Sequence, residues 1–311
     1  MQIARDVLEA IGNTPLVELR KVVPSGGARV LIKLEGANPT GSMKDRMAQA
    51  MIAEAEADGR LKPGGTVVEY TGGSTGTSLA FIGAVKGYRV RIVYSDAFSQ
   101  EKADHMRALG AEIVMVPSDG GRMTKKLFED MIETARQLSQ EPGAYWTDQL
   151  NNHDHITGYY PLGEEIWTQT DGQVDAFVQS VGTSASLQGV GTVLRRHKPA
   201  VELVAVEPAE SAVLSGGASG AHKIEGIGTG FIPALWDAKL VNAILPVSTD
   251  EAKQMARRLA REEGLFVGTS SGANVVGALR VAERLGAGAT VVCLQVDTGL
   301  KYLSTDVFKS V

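Results

Sequence analysis

Lys44 is the residue whose setting most invites chemistry. It stands in Asn38-Pro39-Thr40-Gly41-Ser42-Met43-Lys44-Asp45-Arg46, just ahead of a helix read from Met47 to Asp58. A helix start carries partial positive charge, which disfavours a cation and lowers its pKa. An amine lowered in this way suits Schiff-base chemistry. An exposed helix-start lysine is the ordinary alternative. Two small-residue turns could hold an anion beside it. One is Thr71-Gly72-Gly73-Ser74-Thr75-Gly76 and the other Gly182-Thr183-Ser184-Ala185-Ser186. Each follows a strand pattern and opens a helix pattern, where backbone N–H groups and hydroxyls can approach a phosphate or carboxylate.

Neither turn ends in the Gly-Lys-Ser/Thr of a P-loop, and the three-glycine dinucleotide spacing is absent, which disfavours a nicotinamide dehydrogenase. Gly72-Gly73-Ser74-Thr75-Gly76 does fit the nucleophile elbow of an α/β-hydrolase. That reading makes Ser74 a nucleophile and needs a late histidine, and the last one is His222. A ligand-binding protein without turnover is a further alternative.

These turns need rigid elements to hold them. Strand patterns run over 66–70, 89–94, 112–116, 176–180, 201–206 and 290–296. Helical patterns run over 75–86, 99–109, 123–138, 156–169, 187–196, 249–263 and 274–285. Such alternation with short glycine-rich turns predicts an α/β fold with largely parallel sheets covered by helices. In open sheets of this kind ligands bind beyond the carboxyl ends of the strands. The longest irregular stretch, 211–239, is of a length often found in functional loops.

Composition narrows the class. Of 311 residues 36 are glycine, about 12% against roughly 7% in ordinary chains. With 43% hydrophobic residues and no Gly-X-Y period, collagen and disorder are excluded. The length suggests two domains. A net charge of −5 without a basic run gives no footprint for nucleic acid. The single Cys293 excludes an internal disulfide and any cysteine-based zinc site, and reads as a buried strand thiol. No apolar run is long enough for a membrane span, and residues 1–10 do not read as a secretory signal. A soluble, cytoplasmic protein is expected. His153 and His155, two apart, are read as a solvated helix-start loop and not as metal ligands, so no metal is expected. Asp45 and Arg46 are read as local caps and pairs.

The string Asn38 to Arg46 closely resembles the cofactor-lysine motif of the cysteine synthase family, which includes cystathionine β-synthase. Four further blocks extend the resemblance over nearly the whole chain. They are Ile11-Gly12-Asn13-Thr14-Pro15-Leu16, Gly226-Ile227-Gly228-Thr229-Gly230-Phe231-Ile232-Pro233, Ser270-Ser271-Gly272-Ala273 and Lys301-Tyr302-Leu303-Ser304-Thr305. The resemblance implies a fold-type-II, tryptophan synthase β-like enzyme of pyridoxal 5'-phosphate. The smaller domain would be 44–150, and 1–43 plus 151–311 would form the larger. Lys44 matches the lysine that forms the internal aldimine and then serves as base. Gly182, Thr183, Ser184, Ala185 and Ser186 match the phosphate loop. Ser270 matches the serine at the pyridine nitrogen, with Ser271 as fallback. Thr71, Gly72, Gly73, Ser74 and Thr75 match the loop for the substrate carboxylate, helped by Gln149.

The implied reaction is β-replacement, forming cysteine from O-acetylserine and sulfide through an aminoacrylate, in a homodimer. The alternatives are cystathionine formation and cysteine or serine breakdown. Two departures bear on this. The family usually has Thr-Ser-Gly-Asn-Thr-Gly, so Gly72 lacks a hydroxyl and Ser74 replaces an asparagine that reaches the cofactor's ring oxygen. Ser184-Ala185-Ser186 replaces Gly-Gly-Thr, and the expectation is that Ala185 requires an ordinary backbone where glycine would not.

Overall fold

The computed structural model describes residues 3–309, so the outermost ends of the larger domain assigned above, at 1–2 and 310–311, lie outside the described residues. The chain runs β1 (Leu16–Glu18), β2 (Arg29–Leu34), α1 (Lys44–Ala57), β3 (Thr66–Tyr70), α2 (Ser74–Lys86) and β4 (Arg89–Tyr94). It continues through α3 (Gln100–Ala108), β5 (Glu112–Met115), α4 (Lys125–Leu138), β6 (Ala144–Trp146), α5 (Asp154–Thr157) and α6 (Tyr160–Gln169). Then come β7 (Ala176–Ser180), α7 (Ala185–His197), β8 (Glu202–Pro208), β9 (Ala243–Val247), α8 (Thr249–Arg258), α9 (Thr269–Leu285) and β10 (Thr290–Gln295).

Two sheets result. One has four parallel strands in the order β5-β4-β3-β6. The other has six, β1-β2-β10-β7-β8-β9, parallel except where β1 pairs antiparallel with β2. A parallel sheet needs both faces covered, so its strands read as continuous apolar runs. In β10 every residue is buried. Val292 and Leu294 join the core shared with the four-stranded sheet, while Val291 and Cys293 join a second core under α8 and α9. That division follows the period-two alternation of a strand. Cys293 is fully buried, and desolvation pushes its thiol up to about 12.

Several boundaries differ from the sequence reading. α1 begins at Lys44 itself, three residues earlier than expected. α9 begins at Thr269, five residues before the apolar periodicity shows, and its first turn packs tightly on α8 through Gly272. A Cβ at Gly272 would lie 2.1 Å from the Ala252 carbonyl. The helix expected over 249–263 is α8 followed by a π turn at Leu259–Glu263. The pattern over 156–169 is split, with α5 ending at Thr157 and α6 starting at Tyr160. β1, β2, β6 and β9 were not foreseen; β1 and β6 are three residues each.

Candidate active site

The carboxyl ends of the strands in both sheets converge on one cavity of about 270 Å³. Lys44, Thr71 to Thr75, Gln149, Gly182, Thr183 and Ser270 all line it. Residues from five separate parts of the sequence therefore meet at one place.

Lys44 is the first residue of α1 and opens onto the cavity. Its amine is lowered to about 8, with burial as the main cause and the carboxylate of Asp297 opposing it. Desolvation thus leads, where the sequence reading invoked the helix start. The approach to Lys44 is fixed by its neighbours. The Asp45 carboxylate accepts from the Thr40 amide at 2.8 Å, the Thr40 hydroxyl at 2.6 Å and the Ser78 hydroxyl at 2.6 Å. Arg46 does not pair locally as expected. It reaches Glu35 at 2.7 Å and Glu165 at 2.8 Å, tying α1 to the turn after β2 and to α6 in a buried network.

The turn 71–75 is shaped from within. Thr71 Oγ1 accepts from the Gly73 amide at 2.9 Å. Gly73 has φ +131°, and a Cβ there would lie 2.2 Å from the Lys102 side chain, so only glycine serves. Thr75 Oγ1 donates to Gln149 Oε1 at 2.8 Å, and Gln149 Nε2 donates to the Tyr70 carbonyl at 2.7 Å. Behind them stands Glu69, a buried carboxylate that the sequence reading missed. It accepts from the Thr147 hydroxyl at 2.6 Å and from the amides of Gln149 and Tyr70 at 2.9 Å. Burial pushes Glu69 up to about 7 despite these donors. A glutamate inside the apolar run Thr66 to Tyr70 was the available signal.

Gly72 has the ring of Phe98 where a side chain would project, with a Cβ-to-ring approach of 3.1 Å. The hydroxyl absent at Gly72 is thus replaced by an aromatic wall, since Phe98 also lines the cavity. Ser74 donates to Asp297 Oδ2 at 3.0 Å, and Tyr302 donates to the same oxygen at 2.8 Å. Asp297 was also missed. Its signal was a charged residue directly beyond the carboxyl end of β10.

The turn 182–186 places Gly182 and Thr183 on the cavity wall, with Ser184, Ala185 and Ser186 at the start of the thirteen-residue α7. The left-handed residue is Ser184, at φ +77°; Ala185 is already helical. Ala185 thus has the ordinary backbone expected of it, and the positive φ falls on its neighbour Ser184. Ser184 Oγ is buried without a partner, whereas Ser186 Oγ accepts from Gln179 Nε2 at 3.1 Å. A Cβ at Gly182 would lie 2.4 Å from the Gly226 carbonyl. Ser270 lines the cavity, and Ser271 Oγ instead accepts from the Val296 amide at 2.9 Å, which removes the fallback from the wall.

A helix N-terminus with an unpartnered buried hydroxyl, a lowered lysine amine and a wall hydroxyl at Ser270 fit pyridoxal phosphate: a dianion, an aldehyde and a ring nitrogen. They do not fit a hydrolase. His222 lines the cavity, but its Nδ1 accepts from the Ile224 amide at 3.2 Å and its Nε2 faces the Gly228 carbonyl at 2.8 Å. Neither nitrogen is free to take a proton from Ser74. His155 corrects the expectation of a solvated loop. It is fully buried, and both ring nitrogens lack partners. Among the described residues there is no cluster of three or more metal-ligating side chains.

Comparison with known proteins agrees with this geometry. A family model described as pyridoxal-phosphate dependent enzyme matches residues 7–297. The cysteine synthase of Staphylococcus aureus is 42% identical over 310 residues, spanning 97% of this chain and 96% of its own. The crystal structure of a cysteine synthase from Entamoeba histolytica superposes with a TM-score of 0.93 at 40% identity, covering 100% of this chain and 92% of that one. An O-acetylserine dependent cystathionine beta-synthase from Helicobacter pylori superposes with a TM-score of 0.92 at 33% identity, covering 99% and 100%.

Proposed function

The chain belongs to the pyridoxal-phosphate dependent enzymes, and from that premise we propose that it carries out β-replacement, forming L-cysteine from O-acetylserine and sulfide. The observation that carries this reading is the gathering of Lys44, the 71–75 turn, Gln149, Gly182, Thr183 and Ser270 around one cavity.

When bound, the cofactor supplies an electron sink for loss of a proton at Cα and of the substituent at Cβ. Lys44 would hold it by its amine, and the amides and hydroxyls of Gly182, Thr183, Ser184, Ala185 and Ser186 would hold its phosphate. Ser270 would meet the ring nitrogen with a neutral hydroxyl, which favours β-chemistry over transamination. The substrate carboxylate fits the amides and hydroxyls of Thr71, Gly72, Gly73, Ser74 and Thr75, with Gln149 beside them. Lys44 Nζ then takes the Cα proton, a task matched to an amine near 8. The two domains, 44–150 and 1–43 plus 151–311, are supported by the two separate sheets. Their closure would exclude water from the cavity.

Assembly as a homodimer and a cytoplasmic location belong to the same proposal. Among the described residues no helix is long and apolar enough to cross a membrane. A second reading, a bulkier thiol in place of sulfide, is favoured by Phe98 standing against Gly72 on the cavity wall.

The test is the visible absorption of the cofactor-loaded protein. Adding O-acetylserine should change the band, and adding sulfide should restore it with release of cysteine. A band indifferent to O-acetylserine would overturn the substrate assignment. A restoration seen only with an organic thiol would favour the second reading.

A further inference from the structure

Asp297 sits opposite the approach to Lys44 by backbone pairing, not by side-chain chance. The Met43 amide donates to the Val296 carbonyl at 2.9 Å, and the Thr298 amide to the Gly41 carbonyl at 2.9 Å. Between them Ser42 and Asp297 form an antiparallel bridge. Two residues on, the Lys44 amide donates to Ser42 Oγ at 3.2 Å. This short ladder fixes both residues on one wall of the cavity, although they are far apart in sequence.

The carboxylate is divided in its duties. Oδ2 accepts from both Ser74 and Tyr302. Oδ1 is buried without any donor. Gly268 leaves it room, since a Cβ there would lie 2.4 Å from that oxygen. A buried carboxylate oxygen without a donor is costly, so its persistence asks for a positively charged or proton-bearing neighbour.

We propose that Asp297 is a positioning residue for Lys44, its carboxylate held by Ser74 and Tyr302 so that it keeps the proton on the Lys44 nitrogen. The proposal rests on the reading of Lys44 as the cofactor-bearing amine. The charge at Asp297 opposes the lowering of Lys44 by burial, which is the direction the geometry requires. Other titratable groups face this cluster. Asp45 stands on α1 next to Lys44, and His155 comes from α5. Lys102 from α3 and Glu225 from the 212–242 loop pair across the Tyr302 ring. Lys301 follows on the turn after Thr298, with Asp297 acting on it as well. Asp297 is the group among these whose charge acts on both Lys44 and Lys301.

The experiment is a pH titration of the visible band of the cofactor-loaded protein, which reads the protonation of the nitrogen that Lys44 supplies. In Asp297→Asn the midpoint should fall by about 1 pH unit, the lower end of the range for losing an opposite charge nearby. Tyr302→Phe removes a donor but not the charge, and its midpoint should stay within a few tenths of the wild type. A purely structural role would move both variants alike. Should Asp297→Asn fail to fold, Asp297→Ser removes the same charge in less space. Equal midpoints in wild type and the Asp297 variant, or a band insensitive to pH in both, would overturn the proposal. Lys44→Ala separates the two readings. If it retains the wild-type band, the assignment of Lys44 fails, and not that of Asp297 alone.

Discussion

The Thr75 hydroxyl donates a hydrogen bond to the side-chain carbonyl of Gln149 at 2.8 Å, joining the start of α2 to the segment after β6. Gln149 is held at its other end by the Tyr70 carbonyl and through its amide by Glu69. The pair is pre-set before any substrate arrives, and both residues face the cavity.

Thr75→Ala should therefore act on the amino-acid substrate and not on the cofactor. The change leaves the buried Gln149 Oε1 without its donor and loosens the pair that faces the substrate, a loss of about 1–3 kcal/mol. The KM for the amino acid should rise by roughly 10–100-fold, since about 1.4 kcal/mol is tenfold. The visible band of the loaded protein should stay as in the wild type. Steady-state kinetics with matched absorption spectra check this. A lost band with unchanged KM would place Thr75 on the cofactor side.

Lys301 offers a stability prediction with a defined sign. Its amine is buried, has no hydrogen-bond partner and is lowered from 10.5 to about 8. The folded chain thus binds fewer protons than the unfolded chain between about pH 8 and 10.5. Stability contributed by this group rises with pH across that window, and the cost of burial is fully present below pH 8. From a shift of that size the cost is about 3 kcal/mol. Lys301→Met should raise the urea midpoint of the loaded protein at pH 7 and flatten its pH dependence above pH 8. An unchanged midpoint at pH 7 would mean that the ammonium is compensated in the folded state.

Ser184 carries two opposed effects on one residue. Its φ of +77° is costly for any side chain, by about 1–2 kcal/mol. Its hydroxyl is buried beside the start of α7 without a protein partner. Ser184→Gly should raise the melting temperature of the cofactor-free protein by a few degrees. The same change should weaken cofactor binding several-fold if the hydroxyl serves the phosphate. Thermal unfolding and a cofactor titration, run on one preparation, read the two effects separately.

Much of this architecture was legible in the residues, and the gaps have physical causes. Lys44 and the two small-residue turns stood out because each interrupts an apolar pattern at a strand-to-helix junction. The sheets followed from apolar runs such as Val291 to Leu294. Asp297 showed only as a charge just beyond the end of β10, because its partner Ser74 lies 223 residues away and pairing at that distance leaves no local signature. The positive φ of Ser184 left no mark in the sequence, because which residue of a turn adopts it depends on where α7 starts. β2 was missed because Lys33 breaks its apolar run. That lysine is buried and paired to Glu165 at 2.7 Å, a compensation that only the fold supplies.

Lys102 and Glu225 form a bridge in the wall of the cavity, from α3 to the long loop after β8. Both are largely buried, and the Lys102 ammonium lies 4.2 Å from the centroid of the Tyr302 ring. The Lys102 stem also fills the space that Gly73 leaves open. Removing one partner of a buried pair strands the other charge and costs about 3–5 kcal/mol. Glu225→Gln should therefore destabilise the protein by more than any exposed pair here, and Lys102→Met on that background should recover part of the loss. Lys102→Met alone should also loosen the 71–75 turn, because the turn packs against that stem. The signature is a raised KM for the amino acid with the cofactor band intact. A double-mutant cycle on stability, read beside KM, checks both halves. Additive losses would mean that the two side chains act independently and that the bridge does not couple α3 to the loop.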